Sequence, residues 1–533
     1  MIYRRSRKGL MIFAAAMLIL TTIGGALVGS TAAQERPTLR FATNAADLTD
    51  LDPHFASATQ DRNIVDMVFN GLIRYKPGDI SEFEPDLATA IPEPTMNGTQ
   101  QVWTFTIRDD AMCHASPSSE AYALTSADVA FSYQKAATEE TSGVAGVYAG
   151  ITVAATDPTT VTFTLESPLS AGVFLPKVAN YAGGYVICQK AYEAIGADGF
   201  KRQPVGTGPF RFESYTPQNS IQLVANDEYF RGAPKLAGVD FRFIADSTSR
   251  ELALQSGELD VIQGLPETQF VDRLNGTEGF AADVFGVGEV VFLNINSEAA
   301  PFNDPRVREA IILAMSRESH LALSGQPVAE PVYSVVPADL VPGGLTQEQA
   351  EAAGVNYQQD LERARALLAE AGQSDLTFDL ITSEQDSYRR NYEVMAEELR
   401  QVGITANVSV VQHAAMHEQI RDGVNPLVIY VAFRPTADTY LTQFFSSSGG
   451  TTNFAHYTAI DDLIVQARQA SDPAQQEELW RQANTQILKD FVAFPLMYTN
   501  QVYARSENVD YGHQLVSVAQ LYPGIDETTM VNS

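Results

Sequence analysis

The sequence is short of cysteine, of positive charge and of the short motifs that identify nucleotide-binding or catalytic sites. Only two cysteines occur among 533 residues, and they do not form a Cys-x-x-Cys pair, which argues against a redox or zinc role. Lysine and arginine number 35 against 65 acidic residues, giving a formal net charge of -30. A chain with this charge repels nucleic acid and anionic lipid, so we expect no nucleic-acid partner.

The motifs of phosphate binding and nucleophilic catalysis are also missing. The turn from Gly206 to Pro209 is rich in glycine, but after residue 33 no lysine follows a glycine, as a P-loop requires. Arg211 occupies the last glycine position of the dinucleotide pattern G-x-G-x-x-G, and no G-x-S-x-G elbow occurs. We therefore interpret the turn as a scaffold corner in which Gly206 and Gly208 permit positive φ.

His413 and His417 have the spacing of two metal ligands on one face of a helix. The residues between them are Ala-Ala-Met, so the glutamate of the motif H-E-x-x-H is missing. We predict two partly exposed helical histidines, no metal and no cofactor. Nothing in the sequence assembles a nucleophile, a base and an orienting group, so we do not expect an enzyme.

The N-terminus has the pattern of a secretory signal peptide. A basic run over 4–8 precedes an apolar stretch over 10–28, and small residues lead up to Ala33. We predict a signal peptide over 1–33, a mature chain that begins near Gln34 and a periplasmic location. An uncleaved membrane anchor is the alternative. No later stretch is apolar enough, for long enough, to span a membrane.

Export would place Cys113 and Cys188 in an oxidising compartment, where a pair of cysteines usually forms one disulfide. Two separate buried thiols are the alternative. We predict the disulfide.

Strand-like and helix-like patterns alternate along the chain. "QVWTFTIRDD" and "TVTFTLESP" alternate with period two, which is typical of strands. "LTFDLITS", "SYRRNYEVMAEELRQVG" and "ITANVSVV" follow one another as strand, helix and strand. These patterns predict a mixed α/β protein with more than one lobe.

The stretch from Pro204 to Gly264 closely resembles the signature region of family 5 extracellular solute-binding proteins, the dipeptide, oligopeptide and nickel receptors of ABC importers. Further blocks match in the same order, and the resemblance covers nearly all of the mature chain; among them are "LDPHFA", "VFNGLIRY", "LTSADVAFSYQKA", "DLERARALLAEAG" and "FPLMY". One departure is the stretch "CHASPSSEAYALTSADV", which is longer than the family's pattern and lacks its His-Asp-Gly turn.

The resemblance implies an α/β, periplasmic-binding-protein-like fold with two large lobes, an additional inserted domain and a ligand cleft between the lobes. The implied bounds are a first domain over 34–75, 203–289 and 493–533, an inserted second domain over 76–202 and a third domain over 290–492. The implied function is that of a monomeric receptor which captures a small solute, most simply a short peptide, and delivers it to ABC permease subunits in the inner membrane. The alternatives are the same scaffold binding a metal chelate, an oligosaccharide or an opine-like compound, and a secreted hydrolase.

The family's third domain carries a Trp-containing loop with an aspartate that pairs with a peptide's amino group. The matching stretch here is "LVIYVAFRPTADTYLTQFF". Phe433 takes the place of the tryptophan, a gapless match puts Thr436 at the aspartate's position, and Asp438 fits only after a shift of two residues. Arg434 is new to the pattern and could pair with a ligand carboxylate; the alternatives are a surface ion pair for Arg434 and a turn-capping role for Asp438.

From the first domain, the loop after "LDPH" is implied to face the same cleft. The small hydroxyl residues in this loop and the departures in the third domain favour a polar, anionic ligand over a peptide. The predicted ligand-binding residues are Ser57, Thr59, Tyr430, Phe433, Arg434, Thr436 and Asp438.

Overall fold

The computed structural model describes residues 36–519 and 521–532. The predicted signal peptide and the cleavage site at Gln34 lie outside these residues. Within the described part of the chain, no helix is both long and apolar enough to cross a membrane.

The strands alternate with helices along the chain, as the sequence patterns predict. The strands are β1 Thr38–Thr43, β2 Ile73–Lys76, β3 Asp79–Pro85, β4 Thr95–Asn97, β5 Gln100–Thr106, β6 Met112–Cys113, β7 Tyr122–Ala123, β8 Ile151–Asp157, β9 Thr160–Leu165, β10 Phe210–Thr216, β11 Ser220–Ala225, β12 Gly238–Phe243, β13 Val261–Gln263, β14 Phe280–Ile295, β15 Ala329–Glu330, β16 Thr377–Ser383, β17 Thr405–Val411, β18 Leu427–Ala432, β19 Ala493–Ser506, β20 Val509–Asp510 and β21 Met530–Val531.

The α-helices range from a single turn to almost five turns. They are α1 Thr59–Val68, α2 Ser126–Ala136, α3 Ala171–Phe174, α4 Gln189–Ile195, α5 Ala197–Phe200, α6 Ser247–Gln255, α7 Thr268–Asn275, α8 Pro305–Ala314, α9 Arg317–Leu321, α10 Gln347–Ala352, α11 Leu361–Glu370, α12 Asp386–Gln401, α13 His413–Arg421, α14 Ala437–Phe445, α15 Asp461–Gln469 and α16 Pro473–Lys489.

One mixed sheet of nine strands runs through the molecule, in the order β10-β11-β12-β1-β13-β19-β14-β18, with β15 also paired to β19. β1 pairs in parallel with β12 and β13, whereas β14 and β19 pair antiparallel along most of their length. A separate four-stranded sheet has the order β4-β5-β9-β8. The β14–β19 pair therefore joins the strands on one side of the large sheet, from β10 to β13, to β18 at its other edge.

The buried apolar residues divide the chain into two lobes along this pair of strands. Apart from Phe433 and Val173, the largest core draws on residues 39–285 and 503–525, and two further cores draw on residues 290–498. We name 36–286 and 499–532 the first lobe, and 290–498 the second lobe. The finer division of the first lobe into a first and an inserted second domain stays a prediction.

The glycine-rich turn is a corner, but its glycines serve close approach rather than positive φ. Neither Gly206 nor Gly208 has a positive φ. A Cβ on Gly206 would lie 2.2 Å from the carbonyl oxygen of Val68, and one on Gly208 would lie 2.6 Å from that of Met67. The expectation of positive φ is thus wrong, because the turn packs directly against the C-terminal end of α1, where a side chain would collide with the backbone.

The predicted disulfide between Cys113 and Cys188 is formed, with the two Cα atoms 5.9 Å apart. Both residues are fully buried in the core of the first lobe. The bond closes a loop with a sequence separation of 75 residues and so ties the short strand β6 to the start of α4.

Candidate ligand-binding site

The two lobes touch at positions where one side chain enters the other lobe's core. Phe433, just after β18 in the second lobe, is 4% exposed and belongs to the core of the first lobe. Val173 of the first lobe belongs in turn to a core of the second. The backbone N–H of Ser170 donates to Arg468 O at 2.9 Å, and Gln476 Nε2 donates to Ser170 Oγ at 2.5 Å. The candidate cleft is the region between the lobes that β14, β19 and these contacts bound.

The loop after β18 carries a positive charge to the cleft. β18 is almost wholly buried and ends at Ala432, so Phe433 and Arg434 emerge at its carboxyl end. Arg434 Nε donates to Gln443 Oε1 and Nη1 donates to Phe433 O, both at 2.5 Å. The guanidinium lies 5.1 Å from the centre of the Phe444 ring. Its Nη2 has no hydrogen-bond partner among the described residues, so one face of the fork is available to a ligand carboxylate.

A carboxylate that this arginine influences lies on β14, the strand that runs from the first lobe into the second. Glu289 pairs through its backbone with Thr499, at a point where the β14–β19 register shifts. Burial raises the pKa of Glu289, and the positive charge of Arg434 opposes that rise. Glu289 in turn contributes to the raised pKa values of Tyr388 and Tyr440, which burial mainly causes. These electrostatic influences link the four side chains, which we name the candidate base of the cleft.

The first lobe contributes an aromatic and a second cation to the same region. Tyr181 is close enough to Tyr440 to raise its pKa, although burial is the larger cause. Arg62 Nη1 donates to the Tyr181 hydroxyl at 3.3 Å, and its guanidinium lies 5.2 Å from the ring centre. Arg62 lies on α1, three residues after Thr59. Helix α1 therefore aims at least one charged side chain towards the cleft wall.

Two of the predicted site residues have partners inside the second lobe. Thr436 accepts from the N–H of Thr439 and so caps α14. Asp438 accepts from Arg468 through both oxygens, at 2.6 and 3.2 Å. Asp438 also attracts the buried ammonium of Lys177 across from the first lobe, although burial lowers the pKa of that lysine more strongly. A ligand role for Thr436 and Asp438 stays a prediction.

The other predicted residues differ in exposure. Ser57 is exposed, and Thr59 is half-buried at the first position of α1. Tyr430 is buried on β18, and its ring contacts those of His417, Phe444 and Phe454. Phe433 and Arg434 are thus the predicted residues that emerge at the carboxyl end of β18, and their ligand role stays a prediction.

Sequence reasoning missed Glu289, Tyr181 and Tyr440. Glu289 had a usable signal, because it is the single charged residue within the run "FGVGEVVFLNI". An acid at this point in a strand pattern is expensive to bury without a partner or a function. The two tyrosines lie in segments that offer no comparable signal.

The histidine pair on α13 lies beside the cleft but is engaged by its own lobe. His417 Nε2 and His413 Nε2 are 3.2 Å apart, and His413 Nδ1 is 3.0 Å from Ser383 Oγ. Burial, helped by the neighbouring His413, lowers the pKa of His417 to about 4. The described residues contain no group of three or more His, Cys, Asp or Glu side chains that could hold a metal ion.

A second polar cavity, of about 80 Å³, lies inside the first lobe, away from Glu289 and Arg434. Two of the charged residues that line it have ion-pair partners: Arg74 pairs with Glu84, and Asp86 pairs with Arg231. The cavity does not reach the second lobe. It is a poorer candidate than the cleft for a site that closes around a solute.

Comparisons with known proteins show the family and the fold of the chain. The family described as bacterial extracellular solute-binding proteins, family 5 Middle, matches residues 82–452. The periplasmic binding protein MoaA from A. tumefaciens R10, solved in complex with mannopinic acid, is 35% identical, with a TM-score of 0.80 over 93% of this chain and 100% of that chain. The glutathione-binding protein GsiB from Escherichia coli K12 is 29% identical over 373 residues, which cover 67% of this chain and 70% of that protein.

The peptide-receptor structures share the fold at lower identity. DppA from Helicobacter pylori, in complex with the peptide STSA, has a TM-score of 0.78 and 22% identity over 93% of this chain and 98% of that chain. These likenesses confirm the predicted α/β, periplasmic-binding-protein-like fold.

Proposed function

The chain belongs to family 5 of the bacterial extracellular solute-binding proteins, and on that premise we propose that its cleft captures a small, carboxylate-bearing solute built on an amino acid. It is the substrate-binding protein of an ABC transporter and not an enzyme. In this proposal the solute lies between the first domain (34–75, 203–289 and 493–533) and the third domain (290–492).

The observation that carries the proposal is the state of Arg434. A guanidinium with an unpartnered Nη2, held by Gln443 and by its own chain, is prepared for a planar anion. Phe433 supplies an apolar wall beside it. By contrast, Asp438, the acid expected to pair with a peptide's amino group, is already bound by Arg468.

The ligands of similar proteins support two solute classes. MoaA, at 35% identity, was solved with mannopinic acid, which favours an opine-like solute. GsiB is named for glutathione, and DppA holds a tetrapeptide, so short peptides are the second candidate. Both classes carry a carboxylate that Arg434 can bind.

The finer setting of the function is part of the same proposal. The mature chain begins near Gln34, works in the periplasm as a monomer and presents its closed form to ABC permease subunits. Closure is a population shift, so the solute must contact both lobes to favour it. The contacts of Phe433 and Ser170 describe surfaces that such closure brings together.

The first experiment is mass spectrometry of the solute that co-purifies with the exported protein, followed by calorimetric titration with mannopinic acid, glutathione and the peptide Ser-Thr-Ser-Ala. Arg434→Ala is expected to weaken binding more than tenfold while leaving the melting temperature almost unchanged. Arg400→Gln is the matched control, because Arg400 is exposed on α12 and pairs with Glu397.

Two results would contradict the proposal. An unchanged Kd in Arg434→Ala would move the site away from this loop, and an equal loss of stability would make Arg434 a structural residue. Turnover of any probe during incubation would contradict the receptor function itself.

A further inference from the structure

Three buried polar atoms without a protein partner lie together inside the second lobe. His320 lies on the short helix α9 and Glu398 in the last turn of α12, and their side chains are 0% and 5% exposed. His320 Nε2 and both carboxylate oxygens of Glu398 form no hydrogen bond with any described residue. Buried polar groups are normally hydrogen-bonded, so three such atoms at one place require an explanation.

The hydrogen bond on the far side of the imidazole determines which nitrogen presents a lone pair to Glu398. Asn391 Nδ2 donates to Ser387 O at 2.8 Å, so Asn391 Oδ1 is the acceptor that lies 2.7 Å from His320 Nδ1. Nδ1 therefore carries the proton, and the lone pair of the neutral ring is on Nε2, the nitrogen beside the carboxylate. A histidine that binds a metal ion is typically oriented in this way, by a hydrogen bond from its other ring nitrogen.

The separation of the two groups fits a shared cation better than a direct bond. His320 Nε2 and Glu398 Oε2 are 3.6 Å apart, which is beyond hydrogen-bonding distance. A tetrahedral ion bound at about 2.0–2.2 Å to an imidazole nitrogen and a carboxylate oxygen holds these two atoms about 3.4 Å apart. A buried ion pair is stable only when hydrogen bonds satisfy its charges, because both charges lose hydration, and Glu398 forms none with the described residues.

Glu398 also borders space that is open to solvent. It lines a hollow of about 410 Å³ between α9 and α12, whose walls include Ser319 and Leu323 on one side and Arg390 and Glu393 on the other. This hollow is an entry path for an ion. Solvent that reaches Glu398 through it can supply the ligands that two side chains cannot.

We propose that His320 and Glu398 bind a divalent transition-metal ion of the Zn²⁺ type, through Nε2 of the imidazole and the two oxygens of the carboxylate. Imidazole nitrogen and carboxylate oxygen are ligands that Zn²⁺ accepts, and solvent completes the coordination. The ion ties α9 to α12, and the inference does not depend on solute binding in the cleft. The described residues contain no metal-binding group of three or more His, Cys, Asp or Glu side chains; this site uses two side chains that supply three ligand atoms.

Calorimetric titration of the tag-free mature protein with zinc chloride tests the site. The wild type is expected to bind one ion, and Glu398→Gln to bind it about tenfold more weakly or worse, because an amide replaces the anionic ligand. Glu298→Gln is the matched control: Glu298 lies 3.7 Å from His456 Nδ1, but the side chains of this pair are 75% and 46% exposed, so we expect an unchanged Kd. Equal affinity in the wild type and Glu398→Gln, or no binding by the wild type, would overturn the inference.

X-ray absorption spectroscopy at the zinc edge identifies the ligands and needs no variant. The histidine pair on α13, whose Nε2 atoms are 3.2 Å apart, is the competing place for an ion in the second lobe and would contribute two imidazoles. With one equivalent of Zn²⁺, we expect one imidazole and otherwise oxygen ligands. Two imidazoles would assign the ion to α13 and overturn the inference, and this measurement decides the question even if Glu398→Gln fails to fold.

Discussion

The chain buries charge in two regions and treats it in opposite ways. In the first lobe, Lys135 and Asp52 are 4% and 1% exposed and form an ion pair at 2.8 Å. Lys135 Nζ also donates to Thr141 O at 2.8 Å and lies 3.3 Å from His54 Nδ1. Every donor of the ammonium therefore has a partner supplied by the protein.

At Glu289, the positive charge of Arg434 opposes the rise in pKa that burial causes, but no ion pair joins the two described side chains. At Lys135 the protein supplies an ion-pair partner for the charge, whereas at Glu289 it supplies none among the described side chains. The difference teaches that burial of a charge does not by itself mark a function. A buried charge whose partners are all supplied by the fold contributes to the fold, and one whose partners are missing requires a partner from solution.

The largest expected effect comes from removing the cation of the Lys135–Asp52 ion pair. Lys135→Met leaves Asp52 buried without its cation, and we expect a loss of about 3–5 kcal/mol in the free energy of unfolding. Urea unfolding followed by circular dichroism measures the loss. Lys201→Met is the control, since Lys201 pairs with the exposed Asp198 and is expected to leave the unfolding midpoint unchanged.

A midpoint for Lys135→Met equal to that of the wild type would contradict the comparison. It would mean that water or a rearranged side chain replaces the lysine at no cost. Solute affinity is expected to stay the same in the variant, because the Lys135 network lies in the first lobe and shares no residue with the cleft base.

Asp66, an acid that accepts hydrogen bonds from neutral donors, is a third case to compare with these two regions. Asp66 accepts through Oδ1 from Tyr185 at 2.7 Å and from Asn180 at 3.0 Å. Burial raises its pKa to about 6, with Asp526 adding to the rise and Arg74 opposing it. The contribution of Asp66 to stability is full below about pH 4 and is lost as pH rises through 6.

Asp66→Asn keeps an acceptor for both donors and removes the charge. We expect it to be more stable than the wild type by about 2 kcal/mol at pH 7.5 and equal to it near pH 4. Melting temperatures measured across that range test this prediction. A variant less stable than the wild type at pH 7.5 would show that Arg74 compensates the charge.

Local patterns in the sequence could be used to predict strands and helices, but not the pairing of charged side chains that are distant in the chain. Periodicity predicted the strands near 101–106 and 160–165 and the helix near 386–401, because one buried face dictates the pattern. The motifs of the family nominated Phe433 and Arg434 as candidates, and their ligand role stays a prediction. The Asp438–Arg468 pair joins residues 30 positions apart, and nothing local in the sequence specifies which arginine folds back onto which acid.

A smaller change in stability is expected at Asp438, which lies in the first turn of α14, four residues after Arg434. Asp438→Asn weakens two charge-assisted bonds to Arg468, whose side chain is 32% exposed. We expect a loss of about 1 kcal/mol in stability, discounted for that exposure, and no change in Kd for a probe that the wild type binds. Loss of affinity without loss of stability would return Asp438 to the ligand site.

The smallest effect concerns the contact between the lobes, which is distant from both charge regions. Gln476 Nε2 donates to Ser170 Oγ at 2.5 Å and to Ala467 O at 2.7 Å. Gln476→Ala removes a bond that joins α16 to the first lobe while leaving the cleft base intact. Because a net hydrogen bond contributes about 0.5–1 kcal/mol, the closed arrangement is expected to become less populated and solute affinity to fall about two- to fivefold.

Small-angle scattering and calorimetry measure the two consequences of Gln476→Ala together. The radius of gyration in the presence of saturating solute is expected to match that of the wild type, since bound solute restores closure. Gln482→Ala is the control, because Gln482 lies on the same helix and donates only to Glu478 within it. Unchanged affinity in Gln476→Ala would show that closure depends on the cleft charges alone, and the Glu289–Arg434 region would then be the sole source of the coupling between solute and lobes.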